Sequence, residues 1–140
     1  MLPKTTVYTD CGGANVSPAL HWSGVPAGTR AFVLTVFDPD APRPGGWWHW
    51  IAYNIPASAR GLAKNAGARA NGANGAFGTN DFGNKRYDGP CPPPGPAHHY
   101  VFTLYAMSVP NVIIGKGTDV QSAVKGRFLA SAKIIGRWGR

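Results

Sequence analysis

The side chains best suited to chemistry in this sequence are an aspartate, two histidines and a tyrosine at the ends of apolar segments: Asp38, His49, His98 and Tyr100. Imidazole and phenol groups donate hydrogen bonds to phosphate-like oxygens, so these residues could form a pocket for a small anion. Because a carboxylate repels an anion, we expect Asp38 to accept a hydrogen bond from a histidine and to favour the charged form of that histidine.

Two other interpretations stay open on residue types alone. Asp38, His49 and His98 supply the two imidazoles and one carboxylate of a non-haem metal site. Alternatively, these side chains are structural polar groups that hydrogen-bond within the protein. Nucleophilic catalysis has little support, because no G-x-S-x-G motif occurs and Cys91, the one candidate near His98, lies among prolines.

Three long segments would have to position these side chains. Residues 30–38, 49–55 and 98–107 are rich in β-branched and aromatic residues and end near prolines or glycines, which predicts strands. Their near-continuous apolar character indicates burial on both faces, as in the central strands of a sandwich.

The alternation of side chains along a strand indicates which residues share a face. It places Asp38 with Phe32, Leu34 and Val36, and it places His49 with Ile51 and Tyr53. It also places His98 with Tyr100 and turns His99 to the opposite face. The three strands together predict a pocket at one rim of the sheet.

The rest of the chain predicts a mainly β fold in one domain spanning residues 1–140. The sequence contains 19 Gly and 13 Pro and lacks Glu, a composition that favours strands and turns over helices. Shorter strands are predicted at residues 6–9, 20–23 and 133–138, and residues 58–89 read as a long loop. One short helix is expected from an N-cap at Thr118 to about Gly126. These elements predict an antiparallel β-sandwich.

Charge and cysteine content restrict the function. The formal net charge is +8, which suits acidic partners, but no run of Lys or Arg marks a nucleic-acid-binding arm. Cys11 and Cys91 are too few for a disulfide framework; free thiols are the favoured state, with a single bridge left open. The first residues show no signal-peptide pattern, so we expect a cytoplasmic protein, or a periplasmic one if the chain was trimmed, with at most peripheral membrane contact.

Four ordered motifs resemble those of the phosphatidylethanolamine-binding (Raf-kinase-inhibitor-like) protein family, and they fit its bacterial branch. They are Asn15-Val16-Ser17-Pro18-Ala19-Leu20-His21-Trp22; Asp38-Pro39-Asp40-Ala41-Pro42 with Trp47-Trp48-His49-Trp50; Tyr87-Asp88-Gly89-Pro90-Cys91-Pro92-Pro93-Pro94-Gly95; and His98-His99-Tyr100-Val101-Phe102. Relatives usually carry Arg at the position of His99.

The resemblance implies a β-sandwich with a pocket for phosphate, carboxylate or phospholipid head groups. It assigns ligand binding to Asp38, His49, His98 and Tyr100, with Pro93 or its neighbour Pro92 as a wall. Supporting roles fall to Asp40, Pro42 and Trp48, and the Ala41–Pro42 bond becomes a candidate cis peptide. No cofactor or metal is implied, and bacterial relatives often form homodimers.

The expected function is binding of a small anion, together with regulation of a partner protein. One alternative is an enzyme that uses the same four residues for metal-assisted or acid–base chemistry. Another is inhibition of a protease or kinase through the Gly- and Asn-rich stretch before Gly89. No nucleic-acid partner is expected.

Overall fold

The protein folds around one large antiparallel sheet, and the computed structural model describes residues 1–140. Its elements in chain order are β1 (Leu20–His21), β2 (Ala31–Asp38), β3 (Trp47–Pro56), β4 (Gly61–Leu62), β5 (Ala76–Phe77), β6 (His98–Met107), α1 (Val120–Val124) and β7 (Phe128–Trp138). The large sheet has the order β5-β3-β2-β6-β7, and β1 pairs with β4 in a second, two-stranded sheet. The prediction of a mainly β, antiparallel fold with one short helix is confirmed.

The central strands are buried because both faces of the large sheet are covered. On one face, Phe32, Leu34 and Val36 of β2 pack in a core that includes Leu62 of β4 and the side chain of Tyr87. This is the face that alternation assigned to Asp38.

The opposite face of the sheet holds a second, smaller core. Val33 of β2 and Ile51 of β3 pack there with Val120 and Val124 of α1. The helix therefore acts as a cover for the sheet on the side away from Asp38. None of the helices has the length and apolar character that crossing a bilayer would require.

Several predicted elements differ from the observed ones. Residues 6–9 form no strand, since 3-10 turns at Lys4–Thr6 and Thr9–Cys11 occupy this segment and the Thr6 hydroxyl donates to the carbonyl of Pro3. The final strand begins at Phe128, five residues earlier than predicted. All peptide bonds are trans, so the expectation of a cis Ala41–Pro42 bond is wrong.

The helix is also shorter than predicted, and Thr118 is not its N-cap. A 3-10 turn at Gly117–Asp119 precedes α1, and the Asp119 carboxylate accepts the backbone N–H of Lys116 at 3.2 Å. The helix ends before Gly126, whose φ of +70° suits a residue without a side chain.

The long stretch before Gly89 is folded back on the sheet. It contains β4, a 3-10 turn at Ala66–Ala68 and β5, and Asp81 accepts the backbone N–H of Trp48 at 2.7 Å. The prediction of a structureless loop is therefore wrong. Polar side chains hydrogen-bond the backbone of this stretch, and such contacts produce no hydrophobic periodicity in the sequence.

Candidate functional site

A cavity of about 230 Å³ opens at the rim of the large sheet where β2 ends and β3 and β6 begin. All of the predicted ligand-binding residues and Pro42 line this cavity. The complete lining is Asp38, Ala41, Pro42, Trp47, His49, Phe82, Cys91, Pro92, Pro93, His98 and Tyr100. Antiparallel pairing of β2 with both neighbours brings these strand ends together.

Asp38 and His98 form a hydrogen-bonded pair in the cavity wall. The Nδ1 atom of His98 lies 2.6 Å from Oδ2 of Asp38, and the other carboxylate oxygen accepts the backbone N–H of Asp40 at 2.8 Å. Both oxygens of Asp38 thus have protein partners, and Nε2 of His98 is the ring atom left for a ligand. The expected bond between Asp38 and a histidine is present.

His49 reaches the cavity through a β-bulge. Val36 pairs with Trp50 and Phe37 with Trp48, so His49 is the extra residue on β3. The bulge interrupts the alternation, and Ile51 packs in the core on the other face of the sheet. The prediction that His49 shares a face with Ile51 and Tyr53 is therefore wrong.

The His49 ring is held in one tautomer. Its Nδ1 atom lies 2.6 Å from the backbone carbonyl of Asp88, which can only accept, so Nδ1 carries the hydrogen and Nε2 is left for a ligand. Burial lowers the pKa of His49 below its ordinary value of 6.5, although the bond to Asp88 and the charge of Asp38 oppose this effect. His49 is therefore neutral at pH 7.

Two buried donors in the cavity wall have no partner within the protein. They are the hydroxyl of Tyr100 and the indole N–H of Trp47. Burial, followed by the nearby charge of Asp38, raises the pKa of Tyr100, so its hydroxyl keeps its hydrogen. Unpaired buried donors are rare and costly, and both residues line the cavity, although the two donor atoms themselves have almost no accessible surface. A ligand oxygen would therefore reach them after a small shift of the surrounding side chains.

Two of the predicted supporting residues, Asp40 and Trp48, do not line the cavity. Asp40 lies outside the cavity. Its carboxylate accepts the backbone N–H of His99 at 2.8 Å and lies 2.7 Å from Nδ1 of the same residue. These contacts lower the pKa of Asp40. His99 thus faces away from the cavity as alternation predicted. Trp48 packs on Phe37 on the opposite face, so Trp47, its neighbour, lines the cavity instead.

Asp88 is a buried residue that the sequence analysis did not single out. Its carboxylate accepts from Nδ2 of Asn15, Asn80 and Asn84 at 3.0, 2.8 and 2.9 Å and from Nε of Arg86 at 2.8 Å. These bonds fix the segment whose carbonyl orients His49. The only signal in the sequence is Asn80 and Asn84 shortly before Asp88, and alternation cannot predict the convergence of side chains from distant loops.

A disulfide ties one wall of the cavity to the N-terminal segment. Cys11 and Cys91 are bonded, with Cα atoms 5.5 Å apart, and Arg140 donates from Nε to the carbonyl of Pro92 at 2.7 Å. The expectation of free thiols is therefore wrong, since the fold joins two cysteines 80 residues apart. It also leaves Cys91 without a thiol for nucleophilic attack.

The ionisable groups of the cavity are not arranged around a common metal position. No group of three His, Cys, Asp or Glu side chains in the protein has the geometry of a metal site. The carboxylate of Asp38 is directed at Nδ1 of His98 instead. What the arrangement offers is two hydrogen-bond donors and two imidazole Nε2 atoms around a small space.

The fold and the cavity define a class: small antiparallel β-sandwich proteins with a polar pocket at one rim of the main sheet. The chain belongs to the phosphatidylethanolamine-binding protein family, whose family model matches residues 1–139. The resemblance seen in the four motifs is thus confirmed. Membership supports a ligand-binding or regulatory role in general terms.

Bacterial relatives cover most of the chain. UPF0098 protein YbhB of Escherichia coli is 41% identical over 140 residues, which is 95% of this chain and 89% of YbhB. The crystal structure of E. coli YbcL, described as a new member of the mammalian PEBP family, has a TM-score of 0.93 at 38% identity and covers 100% of this chain and 91% of that chain. A phosphatidylethanolamine-binding protein homolog of Chlamydia trachomatis gives a TM-score of 0.81 at 33% identity, with 99% and 88% covered.

Proposed function

We propose that the protein binds a small anionic group in the rim cavity, such as phosphate, a carboxylate or the phosphate of a phospholipid head group. The observation that carries this proposal is the pair of unpartnered donors, the Tyr100 hydroxyl and the Trp47 indole N–H, in the wall of one cavity. An anion with two acceptor oxygens would bond both donors and remove the cost of leaving them unpaired.

Positive charge near the cavity supports the same ligand class. Arg140 bonds the carbonyl of Pro92, a wall residue, and the Arg43 guanidinium, which pairs with Asp81 at 2.7 Å, lies 4.4 Å from the ring centre of Trp47. With a net charge of +8, the surface around the entrance should draw anions toward the cavity. Regulation of a partner protein through a phosphorylated or lipid-bound ligand is the broader role that this binding would serve.

Titration of the protein with inorganic phosphate and with phosphoethanolamine, followed by histidine NMR signals, tests the proposal. We expect the ring signals of His49 and His98 to shift with a common saturation curve, while those of the surface residue His21 stay in place. Unchanged His49 and His98 signals at millimolar ligand would overturn the proposed binding site.

Acid–base catalysis is a second candidate, favoured by the Asp38–His98 pair. A carboxylate bonded to Nδ1 orients the imidazole and leaves Nε2 toward the cavity, as a general base requires. Turnover of a chromogenic phosphate ester that is lost in His98→Ala would favour this candidate over simple binding. Inhibition of a protease or kinase stays a prediction without a supporting observation, because the segment expected to act is packed on the sheet.

We also propose that two copies pair through β7. This strand forms the outer edge of the sheet, pairs with β6 as its one neighbouring strand and exposes Phe128, Leu129, Ile134 and Ile135 by 40, 47, 61 and 60%. Near its end the carbonyl of Arg137 accepts the backbone N–H of Leu2 at 2.9 Å, so the open part of the edge lies before Arg137. An antiparallel pair centred on Ile134 would place Lys133 beside the partner's Ile135. No like charges would then face each other, and both apolar faces of the strand would continue into the second copy.

A further inference from the structure

The end of the chain carries positive charge that no acidic residue nearby balances. Residues 120–140 contain five Lys or Arg and no Asp or Glu, so they hold five of the eight net positive charges of the protein. Lys125, Arg127, Lys133 and Arg137 are exposed. None of these four residues belongs to any of the ion pairs of the protein.

The acidic side chains of the chain are engaged elsewhere. Asp119 accepts the backbone N–H of Lys116, and four of the six aspartates form ion pairs within residues 38–99. These pairs are Asp38–His98, Asp40–His99, Asp81–Arg43 and Asp88–Arg86. The last segment therefore keeps its positive charge, which attracts polyanionic partners.

The strand β7 places part of this charge beside exposed apolar side chains on one face of the sheet. Lys133, Ile135 and Arg137 alternate with residues on the cavity face, so they share the face that α1 also covers. Phe128 lies on the same face, because it pairs with Met107 of the second core and contacts the ring of Tyr105. Ile135 is 60% exposed, so the helix does not cover this part of the sheet.

We propose that the helix side of β7 is a docking surface for an anionic lipid bilayer. Arg127, Lys133 and Arg137 would lie against the head groups, where each basic side chain raises the affinity by about fivefold. Phe128 and Ile135 would leave water for the boundary of the acyl chains. A nucleic-acid duplex would balance the same charges but would leave these two apolar side chains in water.

This surface is separate from the anion site proposed above. It lies on the opposite face of the sheet from the cavity, so a bilayer bound there leaves the cavity open. Pairing of two copies along the β7 edge would keep the face exposed and place two such surfaces side by side. The docking proposal therefore stands or fails independently of both earlier proposals.

Cosedimentation with phosphatidylcholine vesicles, prepared with and without phosphatidylglycerol as the anionic lipid, tests the surface. We expect the protein to bind the vesicles that contain phosphatidylglycerol and to leave the purely zwitterionic ones. Binding should weaken as salt rises, because the Debye length shortens from about 10 Å at 0.1 M to about 3 Å at 1 M. No binding to anionic vesicles at low salt would overturn the proposal.

Two double variants of equal charge test the location. Arg127→Glu with Lys133→Glu should weaken vesicle binding roughly tenfold or more. Lys64→Glu with Arg69→Glu is the matched control, since these exposed residues lie in the segment that leads to β5 at the opposite edge of the sheet. Each pair lowers the net charge from +8 to +4. Equal losses in the two variants would mean that total charge, and not β7, determines binding.

Three further measurements separate a bilayer from other partners. Ile135→Ser keeps the charge and should lower vesicle affinity about threefold or more, because one apolar side chain is lost from the contact. Saturating phosphoethanolamine should not release the vesicles; release would place the lipid contact in the cavity and contradict the proposal. Binding of a DNA duplex without binding of anionic vesicles at the same salt concentration would make β7 a nucleic-acid surface instead.

Discussion

At the scale of single residues, the chemistry of the cavity depends on which polar atoms the protein has already paired. Asp38 has a partner for each oxygen and His49 for Nδ1, whereas the Tyr100 hydroxyl and the Trp47 indole have none. The sequence analysis found the residue types and the contrast between His98 and His99. It could not find these roles, because pairing depends on loop residues such as Asp88 that come from distant parts of the chain.

The two adjacent histidines of β6 provide a matched pair of substitutions. His98→Ala should weaken phosphate binding at least about fivefold, because it removes an imidazole from the cavity and leaves Oδ2 of the buried Asp38 carboxylate without a partner. His99→Ala should leave the affinity nearly unchanged, since His99 bonds Asp40 outside the cavity. Equal effects in calorimetry would mean that the β6 faces are wrongly assigned.

Burial of His49 should appear in the pH dependence of stability. The pKa of His49 is lowered in the folded state, so below its ordinary value of 6.5 the unfolded chain binds a proton that the folded chain does not. Stability should therefore decrease as the pH falls from 7 toward 5, by at most about 1.4 kcal/mol per pH unit for this one group.

Urea unfolding across that pH range measures this contribution. The His49→Gln variant should lose less stability between pH 7 and pH 5 than the wild type, and His99→Gln should follow the wild-type curve. A His49→Gln curve parallel to that of the wild type would contradict a buried, neutral His49.

At the scale of elements, the long strands were predictable and their irregularities were not. Hydrophobic runs predicted β2, β3 and β6 almost to the residue, because these strands are buried on both faces. The bulge at His49 leaves no trace in a hydrophobic pattern, and the bridge between Cys11 and Cys91 depends on the folded approach of two loops. Both features lie at the cavity, and neither follows from the regular alternation of residues along a strand.

The disulfide should stabilise the fold and hold the cavity wall. A bridge between residues 80 apart removes entropy from the unfolded chain that corresponds to about 4.5 kcal/mol in the chain-entropy model. Adding a phosphine reductant, or substituting both cysteines by Ser, should therefore lower the free energy of unfolding by up to this amount and weaken phosphate binding. The reductant should have no effect on the doubly substituted protein. Equal stability of the oxidised and reduced protein would contradict a bridge in the folded state.

The bridge also bears on where the protein works. Disulfides are typical of oxidising compartments and rare in the cytosol, so the bridge favours an extracytoplasmic location over the cytoplasm expected from the sequence. Alkylation of free thiols in freshly lysed native cells measures this directly. Fully labelled Cys11 and Cys91 would support the cytoplasmic expectation instead.

At the scale of the whole molecule, the open edge at β7 is an exposed apolar surface. The strand has eleven residues and no proline, and Lys133 and Arg137 are its only charged side chains of the kind that protect an edge. Two copies joined there would share one continuous sheet. Composition could not predict this, because an exposed edge and a buried strand both read as apolar runs.

Light scattering coupled to size exclusion tests the pairing. Ile134→Lys should convert a dimer to a monomer, because it places a charge at the centre of the proposed contact. Ile113→Lys is the matched control, since Ile113 is 86% exposed but lies away from β7. A wild-type protein that elutes as a monomer at all concentrations would rule out the proposed dimer.

The central claim is that the cavity binds an anion through the unpaired donors of Tyr100 and Trp47. A crystal structure of the protein soaked with phosphoethanolamine tests it most directly. The account predicts phosphoryl oxygens at hydrogen-bond distance, about 2.6–3.1 Å, from the Tyr100 hydroxyl and the Trp47 indole nitrogen. An empty cavity at saturating ligand, or a ligand bound with its ammonium group against these donors, would contradict the account.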